Sequence, residues 1–293
     1  MRKVSSVFLV GLCVGAICAV VMTVRHEAAV ETPRSIASTG TATRSSAPVT
    51  PTSSAPTSKS STPTPSPPPK PKTGNPELGK LVPGGEVSAV VLDRTTGKTL
   101  VSMQPDRAYT SASLVKLFIA LEVLDKGGPA DDVRRMLSRS DDELASRLWG
   151  IYGGPRIVSR WANIMGLRET RPPADPGRWG DTEITAADMV RVYRYLTDQD
   201  QTTILNALRA ATERGSDGFR QYFGIPDGAS GHSWAIKQGW SCCRPTRMLH
   251  TTGLVDDRYI VVVLTENPRA VSDATGSQRV TSVVKDLVAQ LGL

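Results

Sequence analysis

The stretch "TSASLVKLFIALEVLDKGG", residues 110–128, sets a lysine, Lys116, into a run that is otherwise almost wholly apolar from Leu114 to Leu124. Burying an ammonium on a helix costs several kcal/mol unless the charge is paired or neutralised. Ser113 stands three residues earlier, and on a helix positions i and i+3 share a face. A hydroxyl beside an amine is a nucleophile beside a base. The alternative is structural, with Ser113 capping the helix and Lys116 extending its amine to water.

Spacing alone is a weak signal, because Ser-x-x-Lys recurs at Ser282–Lys285. Context separates the two pairs. The second lies in the last predicted helix with nothing downstream to complete a site, and reads as an ordinary surface face. The first is followed by Ser140-Asp141-Asp142 and then by Lys237-Gln238-Gly239 on a predicted strand. Ser140 to Glu143 also fits a capping box, with Ser140 at N-cap and Glu143 at N3. Lys237 could equally be a solvated strand lysine. His232 and His250 invite a serine–histidine reading, but no Gly-x-Ser-x-Gly turn exists to receive them. Both histidines read as bystanders. There is no HExxH and no paired CxxC array, so no metal and no cofactor are expected.

The order Ser-x-x-Lys, Ser-Asp-x, Lys-x-Gly resembles that of the class A β-lactamases and related penicillin-binding proteins. The likeness runs beyond the motifs. "MLSRSDDELASRLWGIYGGPRIVSRWANIMGL" (136–167) is similar to the family's helix pair around its second motif. "GDTEITAADMVRVYRYL" (180–196) and "WAIKQG" resemble its D-T-T-T-P segment and the strand leading to its third motif. Lys72-Thr73-Gly74 matches that third motif better by letters, but it precedes the serine and is coincidental. The resemblance implies Ser113, Lys116, Ser140 and Lys237 as catalytic residues, and Asp142, Gln238, Gly239 and Trp240 as substrate-binding residues. It further implies acyl transfer through a serine ester, with Lys116 kept neutral by its surroundings and the amides of Ser113 and Trp240 forming an oxyanion hole.

The departures matter equally. Asp142 stands where the family has Asn, and Gln238 where it has Thr or Ser. The family's hydrolytic glutamate lies in a loop that here reads "RPPADPGRWG" (171–180), with no Glu and no Asn. Asp175 is the only acid in that stretch, and nothing assigns it the glutamate's role. Three functions therefore stay open. The first is a serine hydrolase or peptidase acting on a cell-wall stem peptide or related amide, with poor deacylation. The second is a true β-lactamase, and the third a non-catalytic cell-wall or partner-binding module that keeps the fold.

These residues need elements to position them. "EVSAVVLDRTTGKTLVSM" (86–103) predicts two strands about a turn at Thr95-Thr96-Gly97. Helices are predicted over 130–154 (with a break), 154–167, 185–198, 202–213 and near 277–291, and strands over 233–240, 247–255 and 259–267. Strands at both ends with helices between predict an α+β domain, an antiparallel sheet of N- and C-terminal strands with a mostly helical subdomain inserted.

The rest of the chain is different in kind. Of the net charge of +7 over 293 residues, +5 falls in residues 1–79, so the basic balance belongs to the tail and gives no reason to expect nucleic acid. Met1-Arg2-Lys3 precedes an uncharged run from Val4 to Val24, which predicts a membrane anchor or signal peptide within residues 1–26, with everything after it outside the cell. No clean Ala-x-Ala site follows, which favours the uncleaved anchor. Cys13 and Cys18 follow Leu12 and Ile17, not the small residue that a lipoprotein cleavage site wants. From 31 to 72, 29 of 42 residues are Ser, Thr or Pro, so 27–79 reads as a disordered stalk and 80–293 as the hydrolase-like domain. The adjacent Cys242 and Cys243 either close a vicinal disulfide or stay free.

Overall fold

The computed structural model describes residues 76–293. The expected anchor and nearly all of the expected stalk lie outside these residues. Among the described residues, no helix is long and apolar enough to cross a membrane.

The helices are α1 (Pro76–Lys80), α2 (Lys116–Asp125), α3 (Ala130–Ser138), α4 (Asp142–Tyr152), α5 (Pro155–Met165), α6 (Ala186–Asp198), α7 (Thr202–Arg209), α8 (Ile225–Gly228) and α9 (Asp273–Leu291). The strands are β1 (Glu86–Asp93), β2 (Lys98–Met103), β3 (Tyr109–Thr110), β4 (Glu183–Ile184), β5 (Trp234–Cys242), β6 (Arg247–Val255) and β7 (Tyr259–Asn267). Five strands form one sheet in the order β2-β1-β7-β6-β5, with every pairing antiparallel. N- and C-terminal strands share this sheet and the helices are inserted between them, so the fold is the α+β architecture expected. Cys242 and Cys243 are paired as a vicinal disulfide at the end of β5.

The runs "SAVVLD" and "YIVVVL" do not alternate, because both faces of the central strands are covered. Val90, Leu92, Ile260, Val262 and Leu264 pack into a core with α2 to α7. Ala89, Val91, Val261 and Val263 pack into a second core with α8 and α9. A period of two, read on both faces, gives an unbroken apolar string. That second core also takes in Leu78, fully buried on α1, so packed residues reach back beyond the expected start at 80.

The same parity governs the edge strand β5. Ala235 joins the α2–α7 core and Ile236 the α8–α9 core. Lys237 therefore faces the helical subdomain, and Gln238 the opposite layer. Register pairs Lys237 with Thr252 of β6. The Thr252 hydroxyl donates to the Lys237 carbonyl at 2.8 Å and lies 2.9 Å from the buried Tyr193 hydroxyl of α6.

Candidate active site

Residues Ala112–Val115 form one tight 3₁₀ turn that runs directly into α2. Ala112 enters it at φ 47°, a conformation that costs a residue with a Cβ. Neighbours on both sides hold this turn. The Ser111 amide donates to Thr182 O at 2.7 Å, and Gly239 lies so close that a Cβ there would sit 2.9 Å from Ser111 O. That near-contact is why β5 carries glycine at 239. Beneath the preceding strand, His250 Nδ1 accepts the Thr265 amide at 3.2 Å, and Nε2 donates to Thr110 O at 2.9 Å. Burial pushes the His250 pKa down to about 4, so the ring is neutral in the tautomer that these two bonds require.

Ser113 and Lys116 point the same way, as i and i+3 should, and their Oγ and Nζ atoms are 3.0 Å apart. Lys116 is fully buried and does not extend to water. Its Nζ also lies 2.8 Å from Ser140 O and 3.1 Å from Ser140 Oγ, and it is bonded to Asp142 Oδ1. From the other side, Lys237 Nζ reaches Ser140 Oγ at 2.9 Å and Gln238 O at 3.0 Å. The four expected catalytic side chains, from α2 and its preceding turn, the α3–α4 link and β5, thus form one connected cluster in which both lysines meet on Ser140.

Ser140 departs from its expected place as a helix cap. The N-cap of α4 is Asp141, whose carboxylate accepts the Leu144 amide at 2.9 Å. Ser140 instead sits before the helix at φ 49°, a left-handed conformation that frees its hydroxyl from capping and leaves it between the lysines. Capping chemistry favours Asp as much as Ser, and two candidates stood side by side.

Burial lowers the Lys116 pKa, while the Asp142 carboxylate, with Asp217 and Asp141 farther off, pulls it back up; burial prevails. Lys237 is held well below the usual lysine range by burial first and by the charge of Lys116 second. Two cations that share one serine would repel, and Asp142 is the carboxylate beside them.

Asp142 therefore spends its carboxylate on Lys116. The Gln238 amide is also committed, donating from Nε2 to Gln221 O at 2.9 Å and to Phe223 O at 2.6 Å on the α8–α9 side. Trp240 stacks on Phe219 with centroids 4.7 Å apart, and its indole N–H donates to Asp217 Oδ2 at 2.9 Å. Its ring centre is 5.6 Å from Lys237 Nζ.

Two neighbours escaped the motif reading. Trp179 sets its ring 5.1 Å from Lys116 Nζ. Asp217 reaches the site on the turn Gly215–Gly218, a stretch that carries no motif. A cavity of about 280 Å³ opens between Asp141–Glu143 and Ser216–Asp217, at the exposed side of Asp142. Asp175 is exposed and turned on its own loop, its Oδ1 accepting the Gly177 amide at 2.9 Å. His232 pairs with Asp256 at 2.7 Å on the surface and makes no contact with these groups.

No family model matches the chain. It is 39% identical over 225 residues to the "Putative lipoprotein LppW" of Mycobacterium tuberculosis, covering 70% of each chain. A shorter match, 35% identical over 96 residues, covers 33% of this chain and 30% of a D-alanyl-D-alanine endopeptidase of Pseudomonas aeruginosa. Among solved structures, a class A β-lactamase from Mycobacterium abscessus superposes with a TM-score of 0.63 at 18% identity, over 74% of this chain and 99% of that one. The chain belongs to the family of LppW, and its fold is that of the class A β-lactamases.

Proposed function

We propose that the chain is an acyl-transferring serine enzyme that acts on an amide of a cell-wall stem peptide or on a β-lactam. The observation that carries this reading is the 3.0 Å approach of Ser113 Oγ to the buried amine of Lys116, with Lys237 reaching Ser140 from the far side. Ser113 Oγ attacks the carbonyl carbon as its proton passes to the neutral amine of Lys116. The amides of Ser113 and Trp240 stabilise the oxyanion. The carbon–nitrogen bond then breaks, and Ser140 hands the leaving nitrogen its proton from the lysine side. The products are an ester on Ser113 and an amine, which departs from a peptide and stays tethered in the opened ring of a β-lactam. Lys237 supplies positive charge for an anionic group of the substrate, and Gly239 lets β5 approach the nucleophile turn.

Deacylation is slow in this reading. The segment 171–180 offers Asp175 alone, and its carboxylate is held by its own loop. A positioned base is worth roughly 10²–10⁴-fold in rate, and the ester lacks one. The name of the LppW relative supports membrane attachment, and the apolar run from Val4 to Val24 supports an extracytoplasmic domain carried beyond a Ser/Thr/Pro-rich stalk; neither Cys13 nor Cys18 follows a small residue.

The test is intact-mass spectrometry of the full chain with a penicillin. A single lasting adduct is expected, whereas fast turnover of a chromogenic cephalosporin would make the protein a true β-lactamase. Asp142 on Lys116 favours a second reading, a non-catalytic module, and the absence of any adduct would select it.

A further inference from the structure

Asp142 stands where it can decide when Lys116 becomes a base. Lys116 Nζ has four oxygen neighbours, and two of them, the Ser140 carbonyl and the Asp142 carboxylate, can only accept hydrogen bonds. Two N–H groups serve those acceptors in either protonation state. The difference lies in the third position. In the ammonium it is another N–H, and Ser113 cannot lose its proton to it. In the amine it is a lone pair, 3.0 Å from Ser113 Oγ.

The charged and titratable groups around this nitrogen come from every element packed on it. Asp142 and Asp141 come from the start of α4, Asp217 from the 215–218 turn, Lys237 from β5, and Trp179 closes the loop side. Asp142 is the only one of these carboxylates in direct contact with the amine. It is also open to solvent where the amine is not, for the Lys116 side chain is 0% exposed and the Asp142 side chain 59%. Its open side faces the 280 Å³ cavity.

We propose that Asp142 is the specificity-determining residue of this site, holding Lys116 as an ammonium until an acyl donor bearing its own ammonium group pairs with the carboxylate. With Asp142 engaged by the substrate cation, Lys116 releases its extra proton to bulk water, and the resulting lone pair accepts the proton of Ser113. The substrate cation and Asp142 then neutralise each other, and Lys116 carries no charge against the nucleophile. Donors without a cation must react through the small fraction of the protein in which Lys116 is already neutral. This inference rests on the acyl-transfer reading and gives it a substrate class: amides or β-lactams with an ammonium close to the scissile carbonyl.

The experiment compares benzylpenicillin with ampicillin, which adds an α-ammonium to the same side chain, on the full chain at pH 6.5. The second-order rate of Ser113 acylation is read by intact mass. Ampicillin is expected to acylate the native protein about tenfold faster or more, which is one pKa unit of relief at Lys116. Asp142→Asn should remove that preference and move the acidic limb of the benzylpenicillin rate profile down by roughly 1–3 pH units, the effect of losing an adjacent opposite charge. Lysine Cε chemical shifts, followed through a pH titration, should show Lys116 falling by the same amount without any substrate.

Equal rates for the two penicillins in the native protein, or an unmoved profile and titration in Asp142→Asn, would overturn the inference while leaving acyl transfer intact. No adduct with either penicillin in either protein would overturn acyl transfer and the inference together.

Discussion

The chain carries the same four-residue spacing twice, and the two copies share nothing else. Ser113–Lys116 lies at the entry of α2, buried, within hydrogen-bond reach of a second serine, a second lysine and a carboxylate. Ser282–Lys285 lies on α9 with both side chains exposed. A larger cavity, about 890 Å³, lies beside this second pair, so volume does not single out the buried pair. In water a lysine keeps its proton and a serine its hydroxyl hydrogen. Desolvation moves the buried amine toward a base, and a converging second element gives the proton a path.

The sharpest way to break this comparison is at the two serines. Ser113→Ala is expected to abolish covalent labelling by penicillin, and Ser282→Ala to leave it at the native level, both read by intact mass. Labelling of the first variant at any other serine would dissolve the distinction.

At the two lysines the effect is smaller but still large. Lys116→Met should slow acylation by roughly 10²–10⁴-fold, the worth of a general base. The same change should leave thermal stability unchanged or raised, because an apolar side chain of similar volume replaces a buried charge and the abandoned Asp142 is largely solvated. Lys285→Met should change neither. A marked loss of stability in Lys116→Met, by differential scanning calorimetry, would mean that the lysine is structural.

The support beneath the first pair has an acid limit that the second lacks. The His250 pKa is about 4 in the folded chain against an ordinary 6.5. Between those values the unfolded chain binds a proton that the folded chain refuses, so stability falls as pH drops from about 6.5 to 4. The full loss is about 3 kcal/mol. Urea midpoints at pH 7 and 4.5 check this, with His250→Gln expected to flatten the difference. Smallest of all, Ser282→Ala and Lys285→Ala should each shift stability by no more than about 0.5 kcal/mol in the same urea assay, as exposed helix positions do.

Much of the architecture was legible because it is periodic. The strands over 247–255 and 259–267 emerged with the bounds that their apolar runs predict. The family likeness and the order of motifs gave the fold, since three short signals in sequence constrain a topology that no one of them does. What stayed hidden was orientation. Ser140 could be read as a cap because Ser and Asp serve equally there, and only its left-handed φ turns the hydroxyl toward the lysines. The partner of Asp142 was illegible because a carboxylate in sequence does not announce whether it meets a substrate or a buried ammonium. Gln238 reads as one step from the site, yet strand parity commits its amide to Gln221 and Phe223 on the other layer. Leu78 looked like the end of the Pro-rich stretch, and its burial follows from its place in the core that α8 and α9 cover.

The central claim is that Ser113 becomes an ester that lasts. Peptide mapping of the full chain, quenched once acylation by ampicillin is complete and again an hour later, tests it most directly. The account predicts one modified peptide, containing Ser113, present at both times in near-equal amount. A modified peptide that is gone at the hour while penicillin is consumed catalytically, or a modification mapped to any other residue, would contradict it.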